Sequence, residues 1–226
     1  MFGPDPIDLY DPTPYGPFAY YGHLLLGTVA LLAASIAFFA RKGSKRHRAA
    51  GFVFAAAVAI TCLTSIAMLA NVFIPPLLMA VFTAAYAVGG ACLALQKGTT
   101  TVRTAEVALT VFEIAGVILF LRIALAAVQD GLIPAFGPVV IITIPLILLA
   151  GDLNWFLKAQ DRTRLRTARH LNRMVWGFVV VLRAPLVELA AGGLPVPPQV
   201  VIAGPILLGC GMLWYFQRRY GTLKKA

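Results

Sequence analysis

Charge, and negative charge above all, is scarce in this chain. Of 226 residues only 9 are Asp or Glu, against 19 Lys and Arg, and charged residues of both signs make up 12%. Soluble globular domains average about 25%, so a water-exposed globular fold is excluded at the outset. Cysteine is equally thin: Cys62, Cys92 and Cys210 each sit inside an apolar run, without CxxC spacing and without a neighbouring His. They read as small packing residues, not as a disulfide framework or a metal site. The sequence has no HExxH, no Walker loop, no GxSxG and no His/Asp set with zinc spacing, which removes the metalloprotease, P-loop and nucleophile-elbow classes. No Lys lies within 197–217, so the Schiff base of a retinal protein has no candidate there. No catalytic residue and no metal ligand is therefore assigned.

What is abundant is apolar. Hydrophobic residues make up 60% of the chain and mean hydropathy is +0.84. A bilayer accepts spans of about 20 such residues directly. Seven spans are expected, at roughly 17–40, 49–71, 75–96, 105–128, 133–157, 170–191 and 197–217. The expected fold is an all-α, polytopic bundle of seven transmembrane helices over 17–217. It is preceded by an acidic, Pro-rich arm at 1–16 and followed by a basic tail at 218–226. The arm holds Asp5, Asp8 and Asp11 and lacks the basic residues of a signal peptide.

The basic residues sort by loop. Arg41, Lys42, Lys45, Arg46 and Arg48 follow the first span, Lys97 and Arg103 the third, Lys158, Arg162, Arg164, Arg166, Arg169 and Arg173 the fifth, and Arg218, Arg219, Lys224 and Lys225 the seventh. These are 17 of the 19, and the intervening loops hold none. Positive charge stays cytoplasmic, so the N-terminus is expected outside and the C-terminus inside, in an inner membrane of bacterial type. Nucleic acid is not expected as a partner, because the basic residues do not gather beside polar or aromatic readers on one soluble face.

Arg162, Arg166, Arg169 and Arg173 recur at steps of four, three and four, on one face of a helix that the period extends back to about Arg162. With Arg46, His47 and His170 at the same boundary, the stripe is expected to meet anionic lipid headgroups. Deeper charges cost about 2.5–3.5 kcal/mol each by insertion scales and need partners. Glu113 and Arg122, nine residues apart, face opposite sides of span four. Estimated depth matches Arg183 to Glu113, and Arg122 to Glu188 or Asp130, while Asp152 has the arginine stripe beside it. Glu113, Arg122, Arg183 and Glu188 are the candidate ligand-binding residues, joined by His23, which lies beside Tyr20 and Tyr21. Pro185 is expected to open a bend near Arg183.

Two halves of the chain share a pattern. Arg46-His47 is followed by Pro75-Pro76, and Arg169-His170 by Pro197-Pro198, at intervals of 28 and 27 residues. That fits a three-plus-one-plus-three parallel repeat, a transporter device with its site between the halves. Three functions compete. The leading one is a carrier or binding protein for a small or lipid-like ligand in a charged intramembrane cavity. The second is an accessory or assembly subunit docked to other membrane subunits. The third is a haem or quinone redox protein, with His47 and His170 at matching depth as axial ligands. Outside that third reading no cofactor is expected, and an enzymatic activity is the less favoured outcome.

His23-Leu-Leu-Leu-Gly27, then Arg41-Lys42-Gly43 with His47-Arg48 and Gly51, and later Gly151-Asp152 with Arg169-His170-Leu171 and Arg173-Met174, together resemble an uncharacterised bacterial family of predicted integral membrane proteins. That family pairs an HxxxG helix with an RKGxxxHRxxG loop and carries an RHLxRM segment. The likeness spans about two thirds of the chain and departs after Met174, where this chain continues with Leu182-Arg183-Ala184-Pro185 and Glu188. It implies the helical membrane fold and no reaction.

Overall fold

The computed structural model describes residues 12–157, 162–191 and 197–220. A 3-10 turn at Thr13–Tyr15 leads into α1 (Pro17–Phe39), α2 (Lys45–Leu69), α3 (Pro75–Ala94), α4 (Thr100–Gln129), α5 (Phe136–Leu157), α6 (Arg162–Ala191) and α7 (Pro198–Tyr220). Among the described residues there is no strand. Five helices, α1 to α5, are long and apolar enough to cross a membrane. Their outer faces carry Phe18, Phe39, Phe52 and Leu157, all more than three quarters exposed. Such a surface belongs in lipid.

The helix ends follow local chemistry. Proline opens α1 and α3, where a missing N–H costs nothing. Ser44 Oγ accepts from the His47 N–H at the start of α2, and Thr99 Oγ1 accepts from the Val102 N–H at the start of α4. Gly43 turns the chain between α1 and α2 at φ 79°, a left-handed conformation that glycine takes without strain. Lys42 folds back over the C-terminus of α1, donating to the carbonyls of Ala37 and Phe38 at 3.1 and 3.0 Å, with its ammonium 4.4 Å from the Phe216 ring. It neutralises the negative end of the helix dipole. Partial burial holds its ammonium below the ordinary lysine value.

α3 is the centre of the bundle. Over its most apolar stretch 56% of residues are buried, against 17% for α1. Glycines on its neighbours make this possible. Gly177 of α6 meets Val88 so closely that an added Cβ would lie 2.8 Å away, and one on Gly116 of α4 would lie 2.5 Å from Phe82. α3 packs against both α4 and α6, with α1 and α2 on one flank, α5 against α4 and α6, and α7 against α6. Trp176, Val175 and Val179 of α6 join Tyr86 and Ala87 of α3, Ile144 and Leu148 of α5, and Phe216 of α7 in one apolar cluster. α6 is helical at Arg162, as the arginine period predicts.

Candidate functional site

Charges are few, and the fold brings most of the inward-facing ones to one end of the bundle. Asp152, near the end of α5, is 2% exposed. Its Oδ1 lies 2.5 Å from Nη2 of Arg173 and 2.5 Å from Nη1 of Arg169, both on α6. Its Oδ2 accepts from Tyr86 Oη of α3 at 2.6 Å and from Thr110 Oγ1 of α4 at 2.9 Å. A carboxylate offers about four acceptor directions, and here side chains from three other helices, α3, α4 and α6, converge on it. The pairing of Asp152 with the arginine stripe, expected from sequence, is present.

Arg173 is the most enclosed member of the stripe. It also donates to the Tyr86 carbonyl at 2.7 Å, and its guanidinium carbon lies 4.2 Å from the Tyr86 ring centre. Gly90, one turn along α3, makes the room: an added Cβ would lie 2.3 Å from Arg173 Nη1. Next to this centre Glu106 of α4, also buried, receives a two-pronged ion pair from Arg162, at 2.7 and 2.9 Å. Trp155 of α5 joins the two centres. Its Nε1 donates to Glu106 Oε2 at 3.4 Å, and its ring faces the guanidinium groups of Arg162 and Arg169 at 4.7 and 4.5 Å. Cation–π contact with a partly desolvated ring favours that arrangement.

A cleft of about 180 Å³ adjoins the cluster, lined on α5 by Asp152, Asn154 and Trp155, on α6 by Arg169, Asn172 and Arg173, and on α7 by Gln217. Ile147, Leu148 and Leu165 add apolar wall. Polar side chains from three helices thus converge on one recess, and convergent polar groups are what orient a ligand.

The residues proposed as headgroup contacts divide. Arg46 and Arg166 are exposed. Arg169 and Arg173 turn inward to Asp152, and Arg162 to Glu106, so three of the four stripe arginines engage carboxylates of the bundle. The Nδ1 of His47 is 3.0 Å from the Ala37 carbonyl and that of His170 is 3.0 Å from the Ala91 carbonyl. A carbonyl only accepts, so each Nδ1 carries a proton, which leaves Nε2 as the acceptor nitrogen of the neutral ring. His170 also lies within electrostatic range of His47 and Lys42.

The ligand-binding candidates read from sequence are not gathered into one site. Glu113 is completely buried on α4, where its Oε1 accepts from Thr83 Oγ1 of α3 at 2.9 Å. Among the described residues it has no ion pair, and the expected Arg183–Glu113 pair does not form. The reason is lateral: α3 stands between α4 and α6, so matching depth brings the two residues no nearer. Arg122 is exposed, on the opposite side of α4 from Glu113 as their spacing requires, and makes no ion pair with Asp130. Arg183 is half-buried, and the Glu188 side chain lies outside the described residues. His23 is half-buried near the other end of the bundle, 3.0 Å from Ser65 Oγ.

Glu106, Tyr86, Thr110 and Trp155 were not singled out by sequence. Glu106 had a legible signal, lying seven residues before Glu113 on one face of α4, with Thr110 between them. No protein-family model matches this sequence, and no curated protein or solved structure matches it either.

Proposed function

We propose that this chain is a carrier or binding protein for a small or lipid-like ligand, which enters the cleft between α5, α6 and α7 beside Asp152, Arg169 and Arg173. The observation that carries this reading is a buried, charged cluster with a polar recess directly against it. Intramembrane charge of this kind is costly and marks substrate pathways. In this reading all seven helices span an inner membrane of bacterial type, with the N-terminus outside and the cluster at the cytoplasmic end. The two halves would be related as three-plus-one-plus-three around α4. The resemblance to an uncharacterised family of integral membrane proteins is consistent with that setting.

Native mass spectrometry of the purified chain tests the function. A small molecule retained by the wild type and lost on Asn172→Leu, which fills the recess, supports it. A stoichiometric protein partner with no small molecule retained replaces it with the accessory-subunit reading. Orientation is tested with single cysteines at Lys97 and Leu132, both exposed, in a background lacking the native three. An impermeant reagent on intact cells should label Leu132→Cys alone.

A second reading is favoured by a separate observation. The rings of His47 and His170 are each held by a backbone carbonyl at Nδ1, which is how ligating imidazoles are oriented for coordination through Nε2. A haem or quinone would then sit at that end of the bundle. A visible absorption spectrum without a Soret band, together with an organic extract free of quinone, removes this reading.

A further inference from the structure

We infer that Arg169 is the seat for one phosphate group, free or as a monoester, inside the cleft between α5, α6 and α7. This rests on the binding-protein reading above and names the chemistry of its ligand.

The inference starts from unequal numbers. The linked cluster contains three guanidinium groups, on Arg162, Arg169 and Arg173, and two carboxylates, on Glu106 and Asp152. Both terminal nitrogens of Arg162 are taken by the two oxygens of Glu106. Arg173 is held by Asp152 and by the Tyr86 carbonyl. The surplus positive charge therefore falls on Arg169.

Hydrogen bonding weighs towards the same residue, which has two buried donors without an acceptor against one, Nε, on Arg162. Arg169 is 9% exposed, yet its Nε and Nη1 have no hydrogen-bond acceptor. Nη1 is 2.5 Å from Asp152 Oδ1, but their mutual geometry is that of an ion pair without a directed hydrogen bond. Asp152 Oδ1 already accepts from Arg173, and its Oδ2 from Tyr86 and Thr110. Buried donors are rarely left unsatisfied, and a charged one is the most costly to leave so.

The recess provides what the missing acceptor requires. Arg169 lines it, together with the side-chain amides of Asn154, Asn172 and Gln217. A guanidinium edge with amide donors around it suits an oxyanion with several acceptor oxygens. The apolar wall of Ile147, Leu148 and Leu165 would lie along whatever the anionic group is attached to. A lipid headgroup and a free phosphate share that oxyanion chemistry.

The test titrates the detergent-purified full chain with sodium phosphate, with dioctanoyl phosphatidic acid, and with dioctanoyl phosphatidylcholine, against chloride of equal ionic strength. Thermal stability is one readout, and Trp fluorescence, from a protein with Trp155 in the cleft wall, is the other. At about a hundredfold excess over Kd, ligation should raise Tm by about 5 °C or more. Stabilisation by inorganic phosphate assigns the site to free anions, and stabilisation by phosphatidic acid alone assigns it to a lipid headgroup. Arg169→Lys keeps a charge beside Asp152 but loses the fork, and should weaken binding about tenfold or more. Arg103→Gln, exposed on α4, should bind as the wild type does.

The inference is overturned if neither phosphate nor phosphatidic acid shifts Tm or fluorescence, or if Arg169→Lys binds as tightly as the wild type. A retained ligand without a phosphate group, lost on Asn172→Leu, overturns it while leaving the binding-protein reading intact. If no ligand is retained and no anion binds, both fall.

Discussion

Replacing Asp152 is the sharpest perturbation the fold offers. Asp152→Leu leaves the guanidinium groups of Arg169 and Arg173 buried with no carboxylate between them, and takes the acceptor from Tyr86 Oη. Thr110 keeps an alternative in the Glu106 carbonyl, 3.0 Å away. Removing one partner of a buried ion pair costs about 3–5 kcal/mol, and an orphaned buried hydroxyl adds about 1–3 kcal/mol. These terms overlap, so about 5 kcal/mol is expected for Asp152→Leu and about 3 kcal/mol for Asp152→Asn, which keeps an acceptor oxygen. For a chain of this size that corresponds to Tm falling by about 10 °C or more for the leucine variant. Thermal unfolding in detergent, followed by intrinsic fluorescence, reads it directly. Adding Arg169→Met and Arg173→Met to Asp152→Leu should restore most of the loss, since apolar packing replaces a complete buried ion cluster far better than half of one. If Asp152→Leu melts within about 2 °C of the wild type, or the triple variant is no more stable than the single, the electrostatic reasoning is wrong.

Three further outcomes are expected. Gly90→Ala drives a methyl group towards Arg173 Nη1. It should cost about 2–3 kcal/mol in thermal unfolding, and much less in an Arg173→Met background, a coupling that a double-mutant cycle measures. Glu113→Gln retains the acceptor for Thr83 and strands no cation, so it should change stability by less than about 1 kcal/mol; a loss as large as that of Asp152→Leu would reveal a cationic partner. Lys42→Met removes the cap on the α1 carbonyls and the contact with Phe216. The expected cost is about 1 kcal/mol, read as lowered thermal stability.

Periodicity and charge made much of this legible in advance. Steps of four, three and four placed Arg162 within a helix, and chain order put Asp152, at the end of the preceding span, beside that stripe. Nine-residue spacing put Glu113 and Arg122 on opposite faces of α4, one buried and the other exposed. Lateral arrangement was not legible. α3 contains no Lys, Arg, Asp or Glu, so nothing in its composition announced that it would occupy the centre and separate α4 from α6. The contributions of Tyr86 and Trp155 were hidden for the same reason, since an aromatic ring acquires a partner only once its neighbouring helix is known. The stripe itself misled in one respect, because an amphipathic row of arginines reads the same whether it faces headgroups or buried carboxylates.

The tie at Asp152 also orders the assembly of the protein in time. Synthesis proceeds from the N-terminus, so Tyr86, Thr110 and Asp152 of α3, α4 and α5 are made before Arg169 and Arg173 of α6. Until α6 arrives, both Glu106 and Asp152 lack their arginines, and the nascent bundle holds two acids waiting for cations. The arrival of α6 closes four helices at one carboxylate. A chain halted after α5 would retain its apolar spans yet hold Glu106 and Asp152 without the arginines that pair with them. α6 is thus the element whose docking completes the molecule.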